Sequence, residues 1–141
     1  MNPLRTMAGA AVGALAMTGV GVAAGLTGHR EHATAKVAVT LKEWSLTPTR
    51  QTVAAGPVTF TVANRGKLQH EFLVIRTTKA PNALPIQDGA ATEAGLVKEI
   101  SEFKPGLTKK LTVTLKSGKY VLICNIKGHY KAGQYSRFSV R

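Results

Sequence analysis

The sequence predicts an all-β fold, an antiparallel sandwich or barrel of six to eight short strands, and three features carry that reading. Two stretches alternate strictly between apolar residues and threonine, the pattern of half-buried strands. Gly, Pro and Asn clusters break the chain at short intervals. Beyond residue 35 no long stretch carries the periodicity of an amphipathic helix.

The elements follow in order. Val37-Ala38-Val39-Thr40-Leu41 reads as a strand running on towards Trp44, and Pro48 and Ala55-Gly56-Pro57 are breakers. Val58-Thr59-Phe60-Thr61-Val62 puts Val58, Phe60 and Val62 on one face and the threonines on the other. Asn64-Arg65-Gly66 turns the chain, with Asn64 read as a turn residue, and Glu71 to Ile75 is a more continuous apolar run beside His70. Residues 77–100 hold Pro81, Pro85, Gly89 and Gly95 and read as one long connection, with a short helical turn near Thr92–Val97. Pro105-Gly106 is a turn, and Leu111-Thr112-Val113-Thr114-Leu115 alternates cleanly. Ser117-Gly118 leads into a strand at Tyr120–Asn125, and Arg137-Phe138-Ser139-Val140 is the last strand.

The N-terminus reads as an address. Residues 1–5 carry a positive charge, and Thr6 to Gly28 contains none. A basic start, an apolar Gly- and Ala-rich middle and the small-residue site Ala33-Thr34-Ala35 fit a secretory signal. The competing reading is an uncleaved membrane anchor, since the run is nearly long enough to span a bilayer. Residues 1–35 are therefore assigned as signal or anchor and residues 36–141 as the domain. Both readings put the domain outside the cytoplasm: periplasmic, secreted, or held on the outer face of the cell membrane.

The whole chain carries a net charge of +12, and +11 without Arg5, Arg30 and Glu31. Such a balance attracts an acidic redox protein or an anionic membrane surface. No recognition helix or aromatic-rich RNA motif points to nucleic acid. The domain is expected to act as a monomer.

Chemistry is concentrated in few residues. The single cysteine, Cys124, cannot form an intrachain disulfide, and beyond residue 35 the only histidines are His70 and His129. In Cys124-Asn-Ile-Lys-Gly-His129-Tyr-Lys-Ala-Gly-Gln134 a strand delivers the cysteine at its end. A turn at Gly128 brings His129 back to the same point, and Gln134 can reach it from the far side of the loop. His70 begins another strand upstream. A thiolate suits Cu(I) and imidazoles suit either oxidation state, so a His2Cys set with a weak axial ligand serves copper in both. The same set also suits zinc. A Cys–His nucleophile pair would lack an orienting third group, and a multicopper enzyme would need more histidines, so an enzyme is not expected.

The sequence also resembles the cupredoxins, the small blue copper proteins, over most of residues 36–141. The likeness lies in Ala55-Gly56-Pro57 through Asn64-Arg65-Gly66 to His70-Glu71-Phe72. It continues in Gly118 through Cys124 to Gly128-His129-Tyr130 and Gly133. The ligand-loop spacing is similar to that of the rusticyanin and sulfocyanin branch. The resemblance implies a two-sheet Greek-key β-sandwich and one type 1 copper, with His70, Cys124 and His129 as equatorial ligands. Gln134 stands where most relatives carry an axial Met, as in the stellacyanins, which implies a lower reduction potential than a Met-ligated relative. Asn125 and Glu71, each following a ligand, are expected to tie the two ligand-bearing segments together, and Asn64 reads either as a further tie or, in preference, as a turn residue. Lys127 and Lys131, with Arg137 nearby in sequence, read either as a solvated basic surface or as a docking collar. The implied function is one-electron transfer; copper capture or delivery is the alternative.

Overall fold

The computed structural model describes residues 33–141. Among these there is no helix, and the strands run β1 Ala35–Lys42, β2 Ser45–Pro48, β3 Thr52–Val53, β4 Gly56–Asn64, β5 His70–Arg76, β6 Ile86–Gln87, β7 Ala90–Ala91, β8 Leu96–Phe103, β9 Thr108–Leu115, β10 Gly118–Ile123 and β11 Tyr135–Val140. Two sheets face each other, ordered β2-β1-β4-β9 and β3-β11-β10-β5-β8, and β6 and β7 form a small separate ribbon. The all-β sandwich expected from the sequence is observed. Its pairing is mixed rather than wholly antiparallel: β1 runs parallel to β4 and β3 parallel to β11, because the chain crosses between sheets at those points.

The alternating stretches became the inner faces. In β4, Val58, Phe60 and Val62 are buried, and Thr59 faces out to bond Thr112 of β9 across the pair at 2.8 Å. Phe60 packs between Phe72 and Phe138, with ring centroids 5.2 and 5.4 Å away. The more continuous run in β5 has its own cause. Phe72 and Val74 face the core between the sheets, while Leu73 and Ile75 face the opposite way, under the connection that follows. There they meet Leu84, Ala91, Val121, Ile123 and Tyr130.

The expected helical turn near Thr92–Val97 is absent. Gly95 takes a left-handed φ of 87°, its carbonyl accepts the Arg76 N–H, and β8 begins at Leu96. The connection therefore ends at Gly95 rather than at residue 100. It works as a strap over β5 and β10: Tyr130 Oη donates to Pro81 O and accepts from Leu84 N, and Gly128 N donates to Gly89 O. The proposed signal or anchor lies almost wholly outside the described residues. Ala35, which the A-x-A reading would remove, is the first residue of β1 and pairs with Val58.

Candidate metal centre

The two sheets converge at one end on a small group of polar side chains. His70 opens β5. Cys124 follows the last residue of β10, and its N–H donates to the carbonyl of Gln134. The loop between them is closed by Ala132 N to Gly128 O and Gln134 N to His129 O. Gly128 turns at φ 87° as the sequence suggested, which sends His129 back towards the sulfur.

His70, Cys124 and His129 form a three-membered group of ligand-type side chains, all of them buried. Their donor atoms make a triangle: His70 Nδ1 to His129 Nδ1 3.3 Å, Cys124 Sγ to His129 Nδ1 3.5 Å, and Cys124 Sγ to His70 Nδ1 3.8 Å. The centre of such a triangle lies about 2 Å from each corner, close to metal–imidazole bond lengths of about 2.0–2.1 Å and slightly inside metal–thiolate lengths of about 2.3 Å. A single ion fits there with little movement of the scaffold.

Gln134 stands beside the triangle, wholly buried. Its Nε2 donates to Lys42 O at 2.9 Å and lies 3.1 Å from His70 Nδ1. The Lys42 carbonyl fixes which end of the amide is nitrogen. Gln134 Oε1 is then the one buried side-chain polar atom without a hydrogen-bond partner among the described residues. Leaving a buried acceptor unmet costs about 1–3 kcal/mol, a cost that a cation held by the triangle would relieve.

Electrostatics agree with a site made for a metal. Burial pushes the Cys124 thiol up to about 11, against N–H donation from Glu71 and Ile126, so a proton must leave when a metal binds. Burial, and then the neighbouring His70, holds the His129 imidazole below its usual range, keeping it neutral and able to donate a lone pair. The Glu71 N–H donates to Cys124 Sγ at 3.4 Å, a bond that steadies a thiolate. Burial, and then the nearby Glu102, pushes the Glu71 carboxyl up to about 7, with the Asn125 N–H pulling it down. The expected tie between the two ligand segments thus runs from the Glu71 backbone N–H to the sulfur. The Asn125 side chain turns elsewhere. It bonds both ways to the Ala91 backbone and donates to Glu93, fastening the strap to the ligand loop.

Two features lie outside the sequence reading, and for a third, Asn64, the bonds favour the tie over the simple turn. Glu43, in the β1–β2 turn, accepts from His70 Nε2 at 3.0 Å and from the Lys67 and Leu68 N–H groups. Donation from Leu68 leads the causes that hold its carboxyl near 2, so it stays ionised. The bond fixes the His70 tautomer with its proton on Nε2 and its Nδ1 lone pair towards the triangle. Trp44 packs edge-on against His129 at 4.9 Å and is 46% exposed, whereas His129 is only 8% exposed. Trp44, not the imidazole edge, meets the solvent. Asn64 does more than turn the chain: it is fully buried, accepts from Gly66 N, and donates to Leu68 O and Phe103 O. Lys127 and Lys131 are exposed on the ligand loop, but Arg137 pairs with Val121 on the outer face of the sheet and lies apart from them.

A family model for the cupredoxin-like domain matches residues 14–134. The chain belongs to the cupredoxin-like family. Solved structures agree in fold. An auracyanin from Roseiflexus castenholzii superposes with a TM-score of 0.59 at 21% identity, over 77% of this chain and 98% of its own. Auracyanin A of Chloroflexus aurantiacus, described as a "blue" copper protein, gives 0.56 at 22%, over 76% and 100%. Rusticyanin from Thiobacillus ferrooxidans gives 0.59 at 17%, over 77% of each chain. No curated protein matches the chain. Copper is the ion that membership of the cupredoxin family implies, and the triangle and the orphaned amide oxygen fit it.

Proposed function

We propose that this cupredoxin is an exported one-electron carrier, with one type 1 copper held by His70, Cys124 and His129 and weakly by Gln134 Oε1. The observation that carries the proposal is the buried donor triangle with an unmet amide oxygen at its side. Bound copper would supply the one-electron couple. The chain's own residues supply the rest. Glu43 orients His70, the Glu71 N–H steadies the sulfur, and the strap and the Lys42 carbonyl hold the ligand loop and Gln134 in place. A cage fixed in this way rearranges little between oxidation states, which is what rapid electron exchange needs. All four side chains are buried, and this enclosure favours retention of the ion over its delivery to another protein. Trp44 gives His129 an outward-facing aromatic contact, and the exposed Lys127 and Lys131 of the ligand loop suit an acidic redox partner. Residues 1–35 serve as the export signal or anchor.

The test is reconstitution with Cu(II) against Zn(II), followed by visible and EPR spectroscopy. An intense visible band with copper and none with zinc supports the reading. In the same protein Gln134→Met is expected to raise the reduction potential, because a thioether favours Cu(I) more than an amide oxygen does. An unchanged potential would remove Gln134 from the ligand set.

A further inference from the structure

We propose that the end of the sandwich remote from the donor triangle is a docking surface for an anionic lipid bilayer, its groove receiving lipid phosphate. Register defines this end. Ala35 pairs with Val58, Gly56 with Leu115, Gly118 with Val140, and Tyr120 with Arg76, while His70, Cys124 and Gln134 lie at the opposite ends of the same strands. Lys36, Arg76, Lys79, Lys116, Lys119 and Arg141 are all exposed here. Among the described residues no side-chain carboxylate accompanies them.

The acids lie elsewhere. Glu43 and Glu71 touch the candidate metal centre, and Glu93 bonds Asn125. Asp88 precedes Gly89, which is tied to Gly128; Glu99 faces Leu73; and Glu102 precedes Phe103, the partner of His70. The metal end therefore mixes both signs, with Lys42, Lys67, Lys127 and Lys131 among its acids, while the remote end carries one sign. A groove of about 440 Å³ opens beside it, lined by Thr78, Lys79, Pro81, Lys119, Arg137 and Ser139. Three cations and the Thr78 hydroxyl lining one space suit a phosphate ester.

Chain path selects a bilayer over an acidic protein. The uncharged apolar run ends at Gly28, and β1 starts at Ala35 at this very end. The six intervening residues reach at most about 20 Å. If residues 6–28 engage a membrane, this short link keeps the basic end of the domain within reach of its surface. The inference rests on the anchor reading of that run and is independent of copper.

The test uses the full chain loaded with copper and vesicles of phosphatidylcholine with or without phosphatidylglycerol. The triple variant Lys79→Gln, Lys116→Gln, Lys119→Gln is expected to lose about a hundredfold in partition onto the anionic vesicles, at roughly fivefold per lysine. Partition onto neutral vesicles, which reports the apolar run, stays unchanged. The control Lys42→Gln, Lys127→Gln, Lys131→Gln at the other end keeps the anionic preference. Equal losses in both triples, or no anionic preference in the parent protein, overturn the proposal. So does a loss of binding to polyglutamate with vesicle partition unchanged, which would assign the surface to an acidic protein. A colourless protein with intact vesicle behaviour would count against the copper reading alone.

Discussion

At the end of the sandwich where Ala35 enters, the sheets close over Val53, Val58, Leu115 and Val140, and backbone bonds such as Ala55 N to Arg141 O seal the seam. At the other end Asn64, His70, Asn125, His129 and Gln134 are buried together, each a polar side chain taken out of water. The first end is held by the hydrophobic effect and ladder hydrogen bonds, which need no particular partner. The second depends on polar groups meeting one another, with Gln134 Oε1 the exception: Glu43 on His70, Phe103 O on Asn64, Ala91 on Asn125, Lys42 O on Gln134 Nε2. The difference teaches that the scaffold and the site are separable in energy although they share strands. Binding lives in the polar end, and most of the folding energy lives between the sheets.

Substitutions can break that separation. Phe60→Ala, which removes the ring between Phe72 and Phe138, is expected to cost about 3–5 kcal/mol in denaturant unfolding. The protein that remains folded should still take up one metal ion. If copper uptake by the folded fraction disappears as well, the two ends are not separable. Glu43→Gln should do the reverse. Metal affinity is expected to fall about 10–100-fold and the reduction potential to rise, because a full negative charge leaves His70 while a hydrogen-bond acceptor stays. Metal-free stability should change far less than in Phe60→Ala, and Glu43→Asp should restore part of the affinity if the carboxylate charge is what matters. Asn125→Ala unfastens the strap from the ligand loop, at about 1–3 kcal/mol for a buried bracket of hydrogen bonds. Faster amide exchange at Ala91 and in residues 125–130 would be its signature, and unchanged exchange would show that the Tyr130 and Gly128 contacts hold the strap unaided.

Legibility in the sequence followed the same division. Strands β4 and β9 could be read because each has one wet face, so burial wrote a period of two into the residues. Strand β8 could not. It lies at the sheet edge and pairs with β5 through register shifts; Leu96 and Val97 are exposed, and only Ile100 and Phe103 are buried. With no clean alternation to mark it, the Gly95 turn looks in sequence like part of a helical turn. The three candidate ligands were legible through scarcity, being the only Cys and His beyond residue 35. Glu43 and Trp44 were not, because their roles are set by a hairpin that folds back on residues far along the chain. A glutamate in a turn looks the same whether or not a histidine waits 27 residues away. Asn64 reads more readily as a turn residue than as a tie for the same reason, since its link to Phe103 spans 39 residues.

The central claim is that one sulfur and two imidazoles, brought together from separated stretches of the chain, hold a single copper ion. Titration of the metal-free protein with Cu(II), followed by visible absorbance and compared with Cys124→Ser, tests it most directly. An intense band that saturates at one equivalent and vanishes in the serine variant is the expected result. Copper uptake with no such band, or a band indifferent to loss of the sulfur, would contradict the assignment.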